Sequence, residues 1–128
     1  MNDTPTFIDI LEVALPLIAN ALELKTLPTI KLEKSLADNE QPTFGKYHNG
    51  DHIIYLGIAN RHPLDIIRTL AHEMVHYKQD LKTMLDHNSG KTGSPIENQA
   101  HAVAGAIMRH LHKQHPDFFS AKPNLRPR

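Results

Sequence analysis

The chain contains no cysteine among its 128 residues. Disulfide bonds, thiolate-ligated zinc and cysteine nucleophiles are therefore excluded, and a transition-metal site has to be built from imidazole and carboxylate groups. Both groups are plentiful, because the sequence has ten histidines and 14 aspartates and glutamates. A metal site has to be sought among these two residue types.

The chain also lacks an excess of charge of either sign. Its 14 lysines and arginines equal its 14 acidic residues, so the formal net charge at pH 7 is zero. Proteins that bind nucleic acid or an anionic membrane usually have more lysine and arginine than acidic residues. We therefore expect neither nucleic acid nor a membrane as a partner.

A long hydrophobic run is missing as well. The N-terminal residues carry no basic cluster, and the apolar stretch that follows them is interrupted by Glu12, Pro16 and Asn20. This pattern predicts neither a signal peptide nor a membrane-spanning helix. We expect a cytoplasmic protein.

Length and composition predict one globular domain. Hydrophobic residues make up 40% of the chain and charged residues 22%, which are ordinary values for a folded protein. The last segment, 116–128, contains three prolines and shows no sustained periodicity. We expect a single domain over residues 1–115 and an extended or disordered tail over 116–128.

The hydrophobic pattern predicts an α+β fold. Apolar residues from Phe7 to Leu24 recur at helical spacing. Alternating residues then predict short strands near 30–32 and 43–48, and a hairpin turn at 49–51 leads into a third strand, His52–Ile58. The pattern thus predicts short strands, the last of them entered through a hairpin.

Two further helices are predicted after the strands. Helical spacing resumes at Pro63 and continues to about Leu85. After a polar, glycine-containing segment, Ser94-Pro95-Ile96-Glu97 resembles a capping box and predicts a helix that ends near His112. These last two helices carry the residues of chemical interest.

The first of them contains the motif His72-Glu73-Met74-Val75-His76. Residues four apart on a helix lie one turn above the other, so both imidazoles can bind a single cation. Glu73 is rotated by one helical step from His72, and its carboxylate can reach a water molecule in an open coordination position. We predict that His72 and His76 bind Zn²⁺ and that Glu73 is the catalytic general base.

A catalytic zinc site needs a third protein ligand and keeps one position open for water. Without cysteine, that ligand has to be another His, an Asp or a Glu. Glu97 lies about twenty residues beyond His76, at the start of the next predicted helix, which a loop can fold back against the first. We predict Glu97 as the third metal ligand.

The motif, followed by Glu97-Asn98-Gln99-Ala100-His101, resembles the gluzincin family of zinc metallopeptidases and also short metallopeptidases predicted in phage genomes. The likeness spans roughly residues 28–112. It implies a minimal zincin core with zinc-peptidase activity, in which an N-terminal helix, a small antiparallel sheet of about three strands, the motif helix and the glutamate helix form the catalytic subdomain. The large second subdomain, which supplies a transition-state His or Tyr in bigger gluzincins, is not part of this core. More distantly, SprT-like metalloproteins close a similar motif with a later histidine, which makes His101 the rival third ligand.

The predicted function is therefore hydrolysis of peptide bonds in a peptide or an unfolded protein. The resemblance also suggests the hypothesis that the strand His52–Ile58 is an edge strand beside the cleft, where it can hold an extended substrate. We consider His87 a candidate oxyanion donor. Two alternatives stay open: a non-catalytic, zinc-stabilised protein-binding module, and hydrolysis of another kind of amide. Glu73 favours catalysis, because a structural zinc site tends to have four protein ligands and needs no base.

Overall fold

The computed structural model describes residues 5–38, 41–48, 50–82 and 95–121. Within them, an N-terminal helix and a sheet precede two further helices, which confirms the predicted α+β fold class. None of the described helices combines the length and the apolar character that crossing a membrane requires. In chain order the elements are α1 (Phe7–Ala21), β1 (Thr29–Glu33), β2 (Leu36–Asp38), β3 (Gln41–Thr43), β4 (Gly45–His48), β5 (Ile53–Gly57), α2 (Pro63–Leu81), α3 (Pro95–Gln114) and a 3₁₀ helix (Pro116–Ser120).

Helix α1 begins at a capping box. The Thr6 hydroxyl accepts a hydrogen bond from the Asp9 backbone N–H at 3.2 Å, and the Asp9 carboxylate accepts one from the Thr6 N–H at 2.9 Å. Two backbone donors that the first helical turn leaves unpaired are thereby satisfied. The face that carries Ile10, Ala14 and Ile18 is fully buried, and α1 packs with it against α2.

The prediction of an antiparallel sheet is wrong for one of its two strand pairs. The strand order is β1-β5-β4, and β5 pairs parallel to β1 but antiparallel to β4. After β1 the chain forms the separate β2–β3 hairpin and returns through β4, so β5 enters the sheet from the same end as β1. Local alternation predicts that strands exist, but it contains no information on which strands become neighbours.

The predicted edge strand is also in the wrong place. Strand β5 lies at the centre of the sheet, and its Ile54 and Leu56 are completely buried. The edges are β1, whose residues are mostly exposed, and β4. The β4–β5 hairpin itself is confirmed. Among its described turn residues the left-handed backbone is at His52 (φ 55°) and not at Gly50 or Asp51, and Asn49 lies outside the described residues.

Helix α2 is the centre of the molecule. It packs against α1, α3, β4 and β5, and Ile66, Ile67, Leu70 and Met74 are fully buried. Its N-cap is His62, whose Nδ1 accepts a hydrogen bond from a backbone N–H of the first turn at 3.1 Å. Because α2 is held on several sides, the side chains on its remaining face have a fixed position.

The chain after α3 does not begin as the extended tail that composition suggests. Pro116–Ser120 form a 3₁₀ helix, and Phe118 is only 5% exposed because its ring packs into the core and stacks on His115 at 4.7 Å. Burial of an aromatic side chain offsets the entropy lost when this segment is ordered. The predicted domain end at residue 115 is therefore too early for Pro116–Ala121, and residues 122–128 lie outside the described part of the chain.

Candidate metal centre

Helices α2 and α3 bring together His72, His76 and Glu97. Glu97 lies between the two imidazoles: its Oε1 is 2.7 Å from His72 Nε2, and its Oε2 is 3.0 Å from His76 Nε2. One donor atom of each of the three residues lies within 4.8 Å of the other two. All three side chains are largely sheltered from solvent, and they are the residues that the sequence predicts as ligands.

The local sequence explains this geometry. His72 and His76 are one turn apart on α2, and their rings meet edge to face with centroids 4.9 Å apart. Their positions are fixed because the opposite face of α2 is buried in the core. Glu97 lies in the first turn of α3, close to Pro95, which is a favoured residue at the start of a helix.

A buried glutamine determines which nitrogen of His76 carries a proton. The carboxamide of Gln79 makes one contact at each end. One end lies 3.1 Å from Ile96 O, and the other lies 2.8 Å from His76 Nδ1. A backbone carbonyl can only accept a hydrogen bond, so the NH₂ group of Gln79 faces Ile96 and its Oε1 faces His76. His76 Nδ1 therefore donates, and in the neutral ring Nε2 is left with a lone pair that points at Glu97.

These contacts fit a bound zinc ion. An imidazole lone pair and a carboxylate oxygen 3.0 Å apart repel each other unless a cation or a proton lies between them. Tetrahedral zinc with bonds of about 2.0 to 2.1 Å separates its ligand atoms by about 3.3 Å, so the contacts of 2.7 and 3.0 Å would have to lengthen slightly to admit the ion. Imidazole and carboxylate are also donor types that zinc accepts.

The electrostatics at His72 point the same way. Burial lowers the pKa of His72 below its ordinary value; the Glu97 carboxylate opposes this change, while His76 and His101 add to it. The net lowering of the pKa favours the neutral imidazole. That is the form which binds a metal.

His101 lies at the rim of the site. Its Nε2 is 3.4 Å from Glu97 Oε1, and its ring centroid is 4.4 Å from that of His72. With 69% of its side chain exposed, it is far more open to solvent than the other three residues. It does not belong to the set of donor atoms that lie within 4.8 Å of one another among the described residues.

Glu73 is buried beside the three donors. It is 8% exposed, and its Oε2 is the one buried side-chain oxygen or nitrogen among the described residues that has no hydrogen-bond partner. Burial, and to a lesser degree the negative charge of Glu97, raises its pKa from 4.5 to about 8. A buried carboxylate oxygen without a partner is costly, so this atom is suited to a ligand or a water molecule that binds at the site.

Gly45 allows the sheet to approach Glu73. A Cβ atom at Gly45 would overlap Thr69 Cγ2 and would lie 3.4 Å from Glu73 Cγ. Strand β4 therefore runs directly along α2 at the position of the motif glutamate. Neither Gly45 nor Gln79 is predicted from the sequence as a site residue, although Gln79 follows His76 by about one turn on the same helix.

The other described histidines do not belong to this set of donors. His52 Nδ1 is 3.3 Å from Asp80 and 2.9 Å from the Tyr47 hydroxyl, at the turn of the hairpin. His110 and His112 are exposed near the far end of α3. His87, the candidate oxyanion donor, lies outside the described residues.

Comparison with models of protein families, with curated proteins and with solved structures finds no match for this chain. The motif and the geometry of the site are therefore what a functional proposal has to rest on.

Proposed function

We propose that this protein is a zinc-dependent metallopeptidase that hydrolyses peptide bonds. His72, His76 and Glu97 would hold the zinc ion, and Glu73 would act as the general base. The observation that supports this most strongly is the buried, unpartnered carboxylate oxygen of Glu73 beside three converging metal donors. A site that only binds a metal has no need of such a group.

The chemistry that zinc would supply, held by His72, His76 and Glu97, is a lower pKa for a water at the site, about 7, and polarisation of the substrate carbonyl. Glu73 accepts the proton of the attacking water at its free Oε2 and passes it to the leaving nitrogen. Burial raises the pKa of Glu73 to about 8 in the metal-free protein, and a cation at the site would favour the charged form that accepts this proton. Burial of the site limits the access of bulk water to these groups.

Strand β4 supports a peptide as the substrate. Gly57 donates a backbone hydrogen bond to Phe44, and in an antiparallel pair such bonds alternate along the strand. Tyr47 therefore directs its backbone N–H and C=O groups away from β5, towards the edge that β4 forms in the described part of the sheet. An extended peptide that pairs with this edge would pass beside Glu73, as the close approach of Gly45 indicates. This proposal replaces the predicted role of β5.

The role of β4 can be tested on the substrate, without changing the enzyme. Peptides in which single backbone nitrogens near the cleaved bond are methylated cannot donate a hydrogen bond to the strand. We expect methylation at alternate positions to reduce kcat/KM by about tenfold or more and methylation between them to have little effect. Equal kcat/KM for the whole series would contradict pairing with β4.

The resemblance to gluzincins, and to small phage-encoded metallopeptidases, belongs to this proposal. It supports Glu97 rather than His101 as the third ligand, as does the more sheltered position of Glu97. A cytoplasmic location, in the host cell if the protein is encoded by a phage, is a further part of the proposal. Cell fractionation of a tagged chain would test that location.

One observation favours the second candidate, a non-catalytic zinc-stabilised protein-binding module. His101 Nε2 is close enough to Glu97 to add a fourth protein donor, and a zinc site closed by four protein ligands is typically structural. The two candidates differ in what Glu73 has to do. Only the enzyme needs a base at that position.

The experiment that tests the proposed function compares the zinc-loaded wild type with Glu73→Gln. Both are incubated with an unfolded protein and with a mixture of peptides, and new termini are identified by mass spectrometry. We expect cleavage by the wild type and at least about a 100-fold lower rate for Glu73→Gln, with the zinc content unchanged. Cleavage at equal rates by both proteins would refute Glu73 as the base, and no cleavage by a zinc-loaded wild type would favour the binding module.

A further inference from the structure

Gln79 is buried to an extent that is unusual for a polar residue. It is 2% exposed, and Gln79 and Glu73 are the only buried polar residues in the described part of the chain. A buried carboxamide is costly unless its hydrogen bonds are satisfied. Here both ends are used, because Oε1 accepts from His76 and Nε2 donates to Ile96 O and to Gln99 Oε1 at 2.7 Å.

These partners belong to different helices. His76 is a candidate ligand on α2, whereas Ile96 immediately precedes Glu97, the candidate ligand on α3. The bond from Gln79 to Ile96 joins residues that are 17 positions apart in the chain. Gln79 thus contacts the metal centre on both sides: it orients an imidazole on one helix and fixes the backbone that carries the carboxylate on the other.

We propose that Gln79 is the positioning residue of the metal centre, which holds His76 as the Nδ1–H tautomer and docks the first turn of α3 so that Glu97 meets both imidazoles. This inference rests on the proposed function, because it takes His76 and Glu97 as zinc ligands. A carboxylate, which often orients a ligating histidine, could accept from His76 Nδ1 but could not donate to Ile96 O and Gln99 Oε1. The two sets of partners together therefore require glutamine.

Two substitutions separate these tasks. Gln79→Leu has a similar volume but makes no hydrogen bond, so it removes both the orientation of His76 and the link to α3. Gln79→Glu keeps an acceptor for His76 Nδ1. Its second carboxylate oxygen would face two other acceptors, Ile96 O and Gln99 Oε1, so this variant loses only the hydrogen bonds to α3. Gln114→Leu, at the exposed end of α3, is the matched control for the loss of a glutamine.

The experiment measures two quantities in each protein. The zinc dissociation constant is obtained by competition with a chromophoric chelator, and long-range ¹⁵N–¹H spectra of the imidazoles show whether His76 Nδ1 carries a proton in the metal-free protein. We expect the dissociation constant to increase about 10- to 100-fold in Gln79→Leu and about tenfold in Gln79→Glu, with no change in Gln114→Leu. The proton on Nδ1 should be present in the wild type and in Gln79→Glu, whether or not Nε2 is also protonated towards Glu97, and it should be lost in Gln79→Leu.

A glutamine that only stabilised the fold would not alter the tautomer selectively. An unchanged tautomer in Gln79→Leu, or a zinc affinity equal to that of Gln114→Leu, would therefore overturn the proposal. If Gln79→Leu does not fold, Gln79→Glu decides: weaker zinc binding with the tautomer retained supports the proposal, and unchanged binding refutes it. A folded wild type that binds no zinc would refute the proposed function, and the tautomer measured in the metal-free proteins would then decide the role of Gln79 independently.

Discussion

Replacement of Glu73 by glutamine should make the metal-free protein more stable at neutral pH, although it abolishes the proposed activity. The carboxyl group has a pKa of about 8 in the folded protein, compared with an ordinary value of 4.5. Between these values the folded protein keeps a proton that the unfolded chain has lost. Its free energy of unfolding therefore decreases as the pH rises through this window.

The size of this effect follows from the two pKa values. A pH of 7 is about 2.5 units above the pKa of this carboxyl group in the unfolded chain. The difference corresponds to roughly 3 kcal/mol of folding stability that the wild type loses relative to a neutral side chain. Glutamine has the shape of the protonated acid and carries no charge. Glu73→Gln should therefore match the wild type near pH 4 and exceed it by roughly 3 kcal/mol near pH 7.

Urea unfolding in the presence of a chelator, followed by circular dichroism at several pH values, measures this difference. Glu12→Gln, which changes an exposed glutamate of α1, is the matched control and should leave the pH dependence unaltered. Added zinc should flatten the slope of the wild type, because a nearby cation favours the charged carboxylate. Parallel pH profiles for the wild type and Glu73→Gln without metal would refute a buried, protonated Glu73.

Three further substitutions test the fold around the site. Gly45→Ala should lower the free energy of unfolding by about 1–3 kcal/mol and also reduce proteolytic activity, since the new methyl group overlaps Thr69. Gly105→Ala is its control: the new Cβ meets only the tip of a flexible arginine, so this change should be neutral or slightly stabilising. Phe118→Ala should cost about 3–5 kcal/mol in urea unfolding if the 3₁₀ helix is part of the core, and a loss below about 1 kcal/mol would show that it is not. Thr6→Ala removes the cap of α1 and should cost about 1 kcal/mol, measured as a shift of the thermal midpoint.

The parts of the fold that could be predicted are those that depend on neighbours along the chain. Helical spacing located α1 and α2, and the spacing within the motif placed His72 and His76 on one face before any tertiary contact was known. The convergence of Glu97 on this face was also predicted. The absence of cysteine left His, Asp or Glu as the third ligand, and the position of Glu97 at the start of the next helix favoured it, with His101 as the rival.

The errors have one physical origin. Strand order depends on how the chain returns after β3, and the parallel pairing of β1 with β5 leaves no mark in the alternation of either strand. Gln79 appears as an ordinary polar residue until α3 covers it, and the need for glycine at position 45 arises only when β4 meets α2. Burial of Phe118 likewise depends on a partner elsewhere in the chain.

The most direct test of the proposed metal centre is the amount of zinc bound per chain, measured by elemental analysis on the wild type, Glu97→Ala and His101→Ala prepared in the same way. We predict about one zinc ion in the wild type, most of it lost in Glu97→Ala and most of it retained in His101→Ala. Loss chiefly in His101→Ala would contradict the assignment of Glu97 as the third ligand. A folded wild type without zinc after incubation with the metal would contradict the metal centre itself.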